Sequence, residues 1–144
     1  MSTLHIDCDT AKRLLTEAKL ARDRAYTPYS GCRVGAALLS RSGTITHGCN
    51  IENAAYGPTV CAERVAVFKA VSEGERDFIA IAVVGGKGQE TSGQFPPCGV
   101  CRQVLREFCR PEELHVILEE ADGSPLILTL ADLLPYSFGP DYLV

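Results

Sequence analysis

The chain has 144 residues, a length suited to one folded domain over residues 1–144 with a single buried core. Hydrophobic residues make up 46% and charged residues 22%, which excludes an intrinsically disordered chain. With 14 basic against 18 acidic residues the net charge is −4, so there is no general attraction to a phosphate backbone and polymeric nucleic acid is disfavoured as a partner.

The first predicted element is a helix over about residues 9–26, where Leu14, Leu15, Ala18, Ala21 and Ala25 recur at helical spacing and Asp9 or Thr10 offers an N-cap. Thr27-Pro28 stops it, because a residue preceding proline avoids the helical region. VGAALLS (34–40) and TITHGCNI (44–51) read as two strands of a hairpin around the Ser42-Gly43 turn. A helix is expected over 60–71, with Val60, Arg64, Phe68 and Val71 along one line. IAIAVV (79–84) is a near-continuous apolar run, as expected of a strand buried on both faces. A Gly-rich loop leads to a third helix over 99–109, ended by Pro111. HVILEE (115–120) and PLILTL (125–130) form a second hairpin, and Thr129 can cap a short helix through Leu134. Strands alternating with helices predict an α/β fold, a three-layer α/β/α sandwich around a mixed five-stranded sheet.

The 7 cysteines cannot all pair within the chain. MSTLHIDCDTAKR has no apolar stretch of the kind a secretion signal needs, and no apolar run reaches membrane-spanning length. The expected location is the cytoplasm, without a membrane partner, where thiols stay reduced and CxxC reads as metal-binding or redox-active.

Three cysteines stand at predicted helix starts: Cys61 in CAER, and Cys98 and Cys101 in PPCGVC. CxxC spacing places two sulfurs on one helical turn. Three thiolates around Zn²⁺ leave one tetrahedral position open, the mark of a catalytic rather than a structural ion. Their surplus negative charge would be offset by the two helix N-termini and by Arg64, whose guanidinium can donate to thiolates. Two other readings stay open on the residues alone. One is a structural zinc with a fourth ligand among Cys8, Cys32, Cys49, Cys109, His5, His47 and His115; the other is a redox pair at Cys98 and Cys101. Glu63 favours the catalytic reading: two residues after a ligand, its carboxylate can take a proton from water at the open position and return it. A non-ligand glutamate followed by P-C-x-x-C is the arrangement of zinc-dependent deaminases, with cysteine at the first ligand position here.

With these motifs, YTPYS (26–30), VGAALL (34–39), GCNIENAAYG (48–57), PPCGVCRQVLREF (96–108) and LLPYSFGP (133–140) make nearly the whole chain resemble the small, homotetrameric cytidine deaminases. The resemblance implies hydrolytic deamination of cytidine and 2′-deoxycytidine to uridine and 2′-deoxyuridine with release of ammonia, in pyrimidine salvage. It implies one Zn²⁺ per subunit on Cys61, Cys98 and Cys101, with Glu63 as the proton carrier. Asn50 and Glu52 are implied to bind the ribose, a role that suits an amide and a carboxylate alternating off a strand end. Ala54 and Tyr56 are implied to line a neighbouring subunit's pocket and Phe138 to close over the base from another subunit, so a homotetramer would share its active sites. Gly31-Cys32-Arg33 departs from the family, which often carries an aromatic residue there. The alternatives are a related aminohydrolase, such as a blasticidin S deaminase, and a non-catalytic zinc-stabilised module.

Overall fold

A computed structural model of the chain describes residues 5–91 and 93–144. The elements run α1 (Cys8–Arg22), β1 (Cys32–Ser40), β2 (Ile45–Cys49), α2 (Ala62–Ser72), β3 (Phe78–Lys87), α3 (Gly99–Glu107), β4 (His115–Glu119), β5 (Pro125–Thr129) and α4 (Leu130–Leu133), followed by a 3₁₀ turn at Pro140–Tyr142. The strands form one sheet in the order β2-β1-β3-β4-β5. β3 and β4 are parallel and the other pairs are antiparallel, so the sheet is mixed and five-stranded as expected.

Side chains alternate across a strand, and here both faces are covered. Val34, Ala36 and Leu38 of β1, Ile81 and Val83 of β3, and Val116 and Leu118 of β4 point to one side, where Ala62, Ala66, Val67 and Ala70 of α2, Leu105 of α3 and Leu130 of α4 pack. Ala37, Ala80, Ala82, Val84 and Ile117 point to the other, against Ala11, Leu14, Leu15 and Ala18 of α1. Two-sided burial explains why these strands read as apolar runs rather than as alternating patterns. The result is the three-layer α/β/α sandwich. Among the described residues no helix is long and apolar enough to cross a membrane.

Several element ends differ from the sequence expectation. α1 is capped by Asp7, whose carboxylate accepts from the Thr10 backbone N–H at 2.7 Å, in place of Asp9 or Thr10. It stops at Arg22 rather than Tyr26, because the Tyr26 backbone pairs instead with the chain leaving β2: its N–H donates to the Asn50 carbonyl and its carbonyl accepts from Glu52 N–H. On α2 the buried stripe runs through Ala62, Glu63, Ala66, Val67 and Ala70, while Phe68 is 51% exposed. β3 extends to Lys87 because its glycine-bearing end stays paired with Cys32, Arg33 and Val34. Thr129 caps α4 in a reciprocal capping box with Asp132.

Candidate metal centre and active site

α2 and α3 lie on the same side of the sheet, and each begins with a cysteine in extended conformation at its N-cap, Cys61 and Cys98. Neither side chain caps the backbone N–H groups of its own first turn, which leaves both sulfurs available to other partners. Cys101, one turn into α3, is buried beside them. The three sulfurs lie within 4.8 Å of one another, and Cys61 Sγ and Cys98 Sγ are 3.8 Å apart. All seven cysteines are free thiols.

Among the described residues no fourth Cys, His, Asp or Glu joins the group at that distance. Three converging soft donors without a fourth fit a zinc ion with an open coordination position and do not fit a closed four-ligand site. Arg64 Nη2 donates to Cys61 Sγ at 3.3 Å. In the metal-free chain, donation from the Cys101 thiol, then from Arg64 and Cys98, holds Cys61 down to about 5. Cys101, giving its proton to that contact and desolvated, is pushed up. Arg64 and the neighbouring thiols therefore favour the thiolate form of Cys61.

Glu63 is 3% exposed, a rare setting for a carboxylate in a first helical turn. Burial raises its pKa, and the nearby charge of Cys61 adds to the effect. The other half of the region is the strand end leaving β2. Asn50 Oδ1 accepts from Val34 N–H at 2.8 Å and its Nδ2 donates to the Cys32 carbonyl at 2.9 Å, which braces the start of β1. Glu52 accepts from the Tyr29 and Ser30 N–H groups at 3.0 and 3.1 Å and from Ser30 Oγ at 2.5 Å. The Ser30 hydroxyl and the two N–H groups hold its pKa below the ordinary carboxylate range. An Ile51–Val60 bridge closes the loop between these residues and Cys61.

A cleft of about 370 Å³ is lined by Tyr29, Ser30, Glu52, Asn53, Tyr56 and Thr59. It brings Glu52 and Tyr56 together; Ala54 is exposed on the same loop and does not line it. Tyr56 is 81% exposed and Phe138 57% exposed, with Phe138 stacked on Tyr142 at 5.5 Å between ring centres. A larger hollow of about 770 Å³, bordered by Arg76, Phe108 and Tyr136, contains Cys109 but none of the three clustered thiols. Because it lies away from the thiols, size alone does not locate the site.

Sequence reasoning missed the supports. Gly48 of β2 lies under the first turns of α2: a Cβ there would stand 2.2 Å from the Ala62 carbonyl oxygen and 2.5 Å from the Ala66 nitrogen. Those contacts are backbone, so the helix must move to relieve them. Gly48→Ala is expected to cost about 1–3 kcal/mol, read from the urea midpoint, and to weaken metal binding because Cys61 and Glu63 travel with α2. Wild-type values for both would show that the approach does not matter. Arg102 is the second support: its Nε donates to the Pro97 carbonyl and its Nη1 to the Leu133 carbonyl, both at 2.8 Å, tying the PPC segment to the end of α4.

Residues 8–117 match the family description "cytidine and deoxycytidylate deaminase zinc-binding region". A cytidine deaminase of Sporosarcina psychrophila is 52% identical over 132 residues, covering 92% of this chain and 93% of that protein. The crystal structure of cytidine deaminase from Burkholderia pseudomallei superposes with a TM-score of 0.79 at 48% identity, over 88% of this chain and 97% of that one. That of the Mycobacterium tuberculosis enzyme gives 0.75 at 38% identity, over 94% and 99%. The matched region includes the three thiols and Glu63, and the likenesses in sequence and in structure agree: this chain belongs to the cytidine deaminase family.

Proposed function

We propose that the chain hydrolyses cytidine and 2′-deoxycytidine to uridine and 2′-deoxyuridine, releasing ammonia, and serves pyrimidine salvage in the cytoplasm. The observation that carries this reading is the three-thiol cluster with a buried glutamate two residues from one of its members. Cys61, Cys98 and Cys101 would hold one zinc ion per subunit, which supplies Lewis acidity that makes water nucleophilic near neutral pH.

The remaining steps fall to the chain's own groups. Glu63 accepts a proton from the water that attacks C4 of the base and delivers it to N3. It then takes the proton of the new C4 hydroxyl and passes it to the amino group, so that C4=O forms as the C4–N bond breaks and ammonia leaves. A carboxyl whose pKa is raised by burial is suited to alternate between these states. Arg64 donates to Cys61 Sγ and so withdraws part of the thiolate charge that would blunt the ion. Asn50 and Glu52 bind the ribose. Among the described residues Glu52 Oε2 accepts from Ser30 Oγ alone and keeps a lone pair for a 3′-hydroxyl, while Asn50 keeps one N–H. Ala54, Tyr56 and Phe138 complete pockets across the subunit boundaries of a homotetramer, which accounts for their exposure in the single chain.

Zinc-loaded protein mixed with cytidine is expected to change the ultraviolet spectrum to that of uridine, and chelation to abolish the change until zinc is restored. Blasticidin S, assayed alongside, should turn over much more slowly. Faster turnover of blasticidin S would reassign the substrate, and no zinc dependence would overturn the reading.

A further inference from the structure

The segment after α4 does not trail away from the fold. It lies along α3, the helix whose start carries Cys98 and Cys101, and α3 grips it on both sides of Phe138. Arg106, only 7% exposed, sends Nε to Ser137 Oγ at 2.8 Å and Nη2 to Asp141 Oδ1 at 2.5 Å. Gln103 Nε2 donates to the carbonyl of Phe138 itself at 2.9 Å. Gly139 sits against the guanidinium, where a Cβ would stand 2.2 Å from Arg106 Cζ. The segment 137–141 is therefore held through the side chains of Ser137 and Asp141 on its two flanks and through the Phe138 carbonyl between them, whereas the Phe138 ring is half exposed and touches Tyr142.

We propose that Arg106 and Gln103 are positioning residues for substrate binding, fixing where the Phe138 ring stands. This rests on the reading that Phe138 packs against the base. The ring is half exposed and stacks on Tyr142 of the same tail, so its place follows the peptide to which it is attached. That peptide is anchored one helical turn beyond the thiol pair: α3 serves the chemistry at its start and presents the aromatic along its flank. The arrangement makes the ring's position as rigid as the helix, and a bidentate guanidinium suits the task because a fork fixes direction as well as distance.

The test compares zinc content, KM and kcat on cytidine for Gln103→Ala, Arg106→Gln, Gly139→Ala and Phe138→Ala, and for the double variant of Arg106→Gln with Phe138→Ala. Phe138→Ala is expected to raise KM about tenfold, and the other three single variants to raise it in the same direction with kcat within about twofold. In the Phe138→Ala background, Arg106→Gln should raise KM no further, a coupling that a general loss of stability would not produce. If Arg106→Gln does not fold, the exposed Gln103→Ala carries the same comparison and the same coupling test. Additive effects on KM, or an unchanged KM in the clamp variants while Phe138→Ala raises it, would overturn the proposal. An unchanged KM in Phe138→Ala would overturn the placing of Phe138 itself and the clamp's purpose with it.

Discussion

Glu63→Gln is expected to lower kcat on cytidine by about 10²–10⁴-fold while zinc content stays at the wild-type level. The amide matches the carboxylate in shape and can still accept a hydrogen bond, so the thiol cluster and α2 stay in place. It cannot carry a proton from water to the base and on to the leaving amine. Turnover near that of the wild type, measured on a zinc-replete preparation, would remove Glu63 from the mechanism. A second readout separates charge from packing. In the metal-free protein, burial raises the Glu63 pKa above its ordinary value of 4.5. The folded chain then holds more proton than the unfolded one between 4.5 and that raised value, so the stability tied to this group is lost as pH rises through the folded pKa. Metal-free Glu63→Gln should therefore outlast metal-free wild type in urea at neutral pH, with the gap closing in acid. A gap independent of pH would contradict that account.

Arg22→Leu is expected to be the most destabilising single change away from the thiols. Arg22 is 3% exposed, and its donors reach the carbonyls of Arg33 at 2.9 Å, Gln89 at 3.1 Å, and Gly86 and Gly88 at 2.8 Å. These are charge-assisted bonds to backbone acceptors, and none of these partners is a carboxylate. Leucine would fill part of the volume and leave several carbonyls unmet, at a cost of about 3–5 kcal/mol. For a chain of this size that corresponds to a fall of roughly 10–20 °C in Tm. Arg22→Lys should recover only part of the loss, since an ammonium cannot span acceptors spread over the ends of β1 and β3. Intact kcat in the surviving folded fraction would place the effect in the scaffold. A Tm within a degree or two of wild type would show that water replaces the guanidinium.

The legible parts of this protein were those whose signal is local or strictly spaced. The apolar runs at 34–40, 79–84 and 115–120 marked strands because two-sided burial leaves no polar alternation. Cys61, Glu63, Cys98 and Cys101 were legible because metal ligation at helix starts demands fixed intervals, and Arg64 because an arginine one turn into that helix can reach back to the sulfur. Arg22 and Arg106 were not, since their partners are carbonyls and side chains distant in sequence and a basic residue in a helical pattern reads as solvated surface. The line through Phe68 misdirected the orientation of α2 because small residues form its contact. Ala62, Ala66 and Ala70 let the helix lie close to the sheet, and their bulk gives no strong periodic signal. Gly48 is the complement of that approach, visible only once the helix is laid on the strand.

The sheet also divides what can go wrong. Among the described residues α1, with Ile6 just before it, covers one face, and the thiols, Glu63 and the tail clamp all belong to the opposite layer. In a library of random substitutions, variants under α1 should scatter along a single axis of persistence against heat or denaturant. Variants in α2, α3 and the tail should spread over two axes, persistence and turnover. A screen that scores only survival would then find both halves equally tolerant, and one that scores product would find the second far narrower. The layer most exposed to selection for chemistry is thus insulated, by five strands, from the layer where stability can be altered without consequence for the substrate.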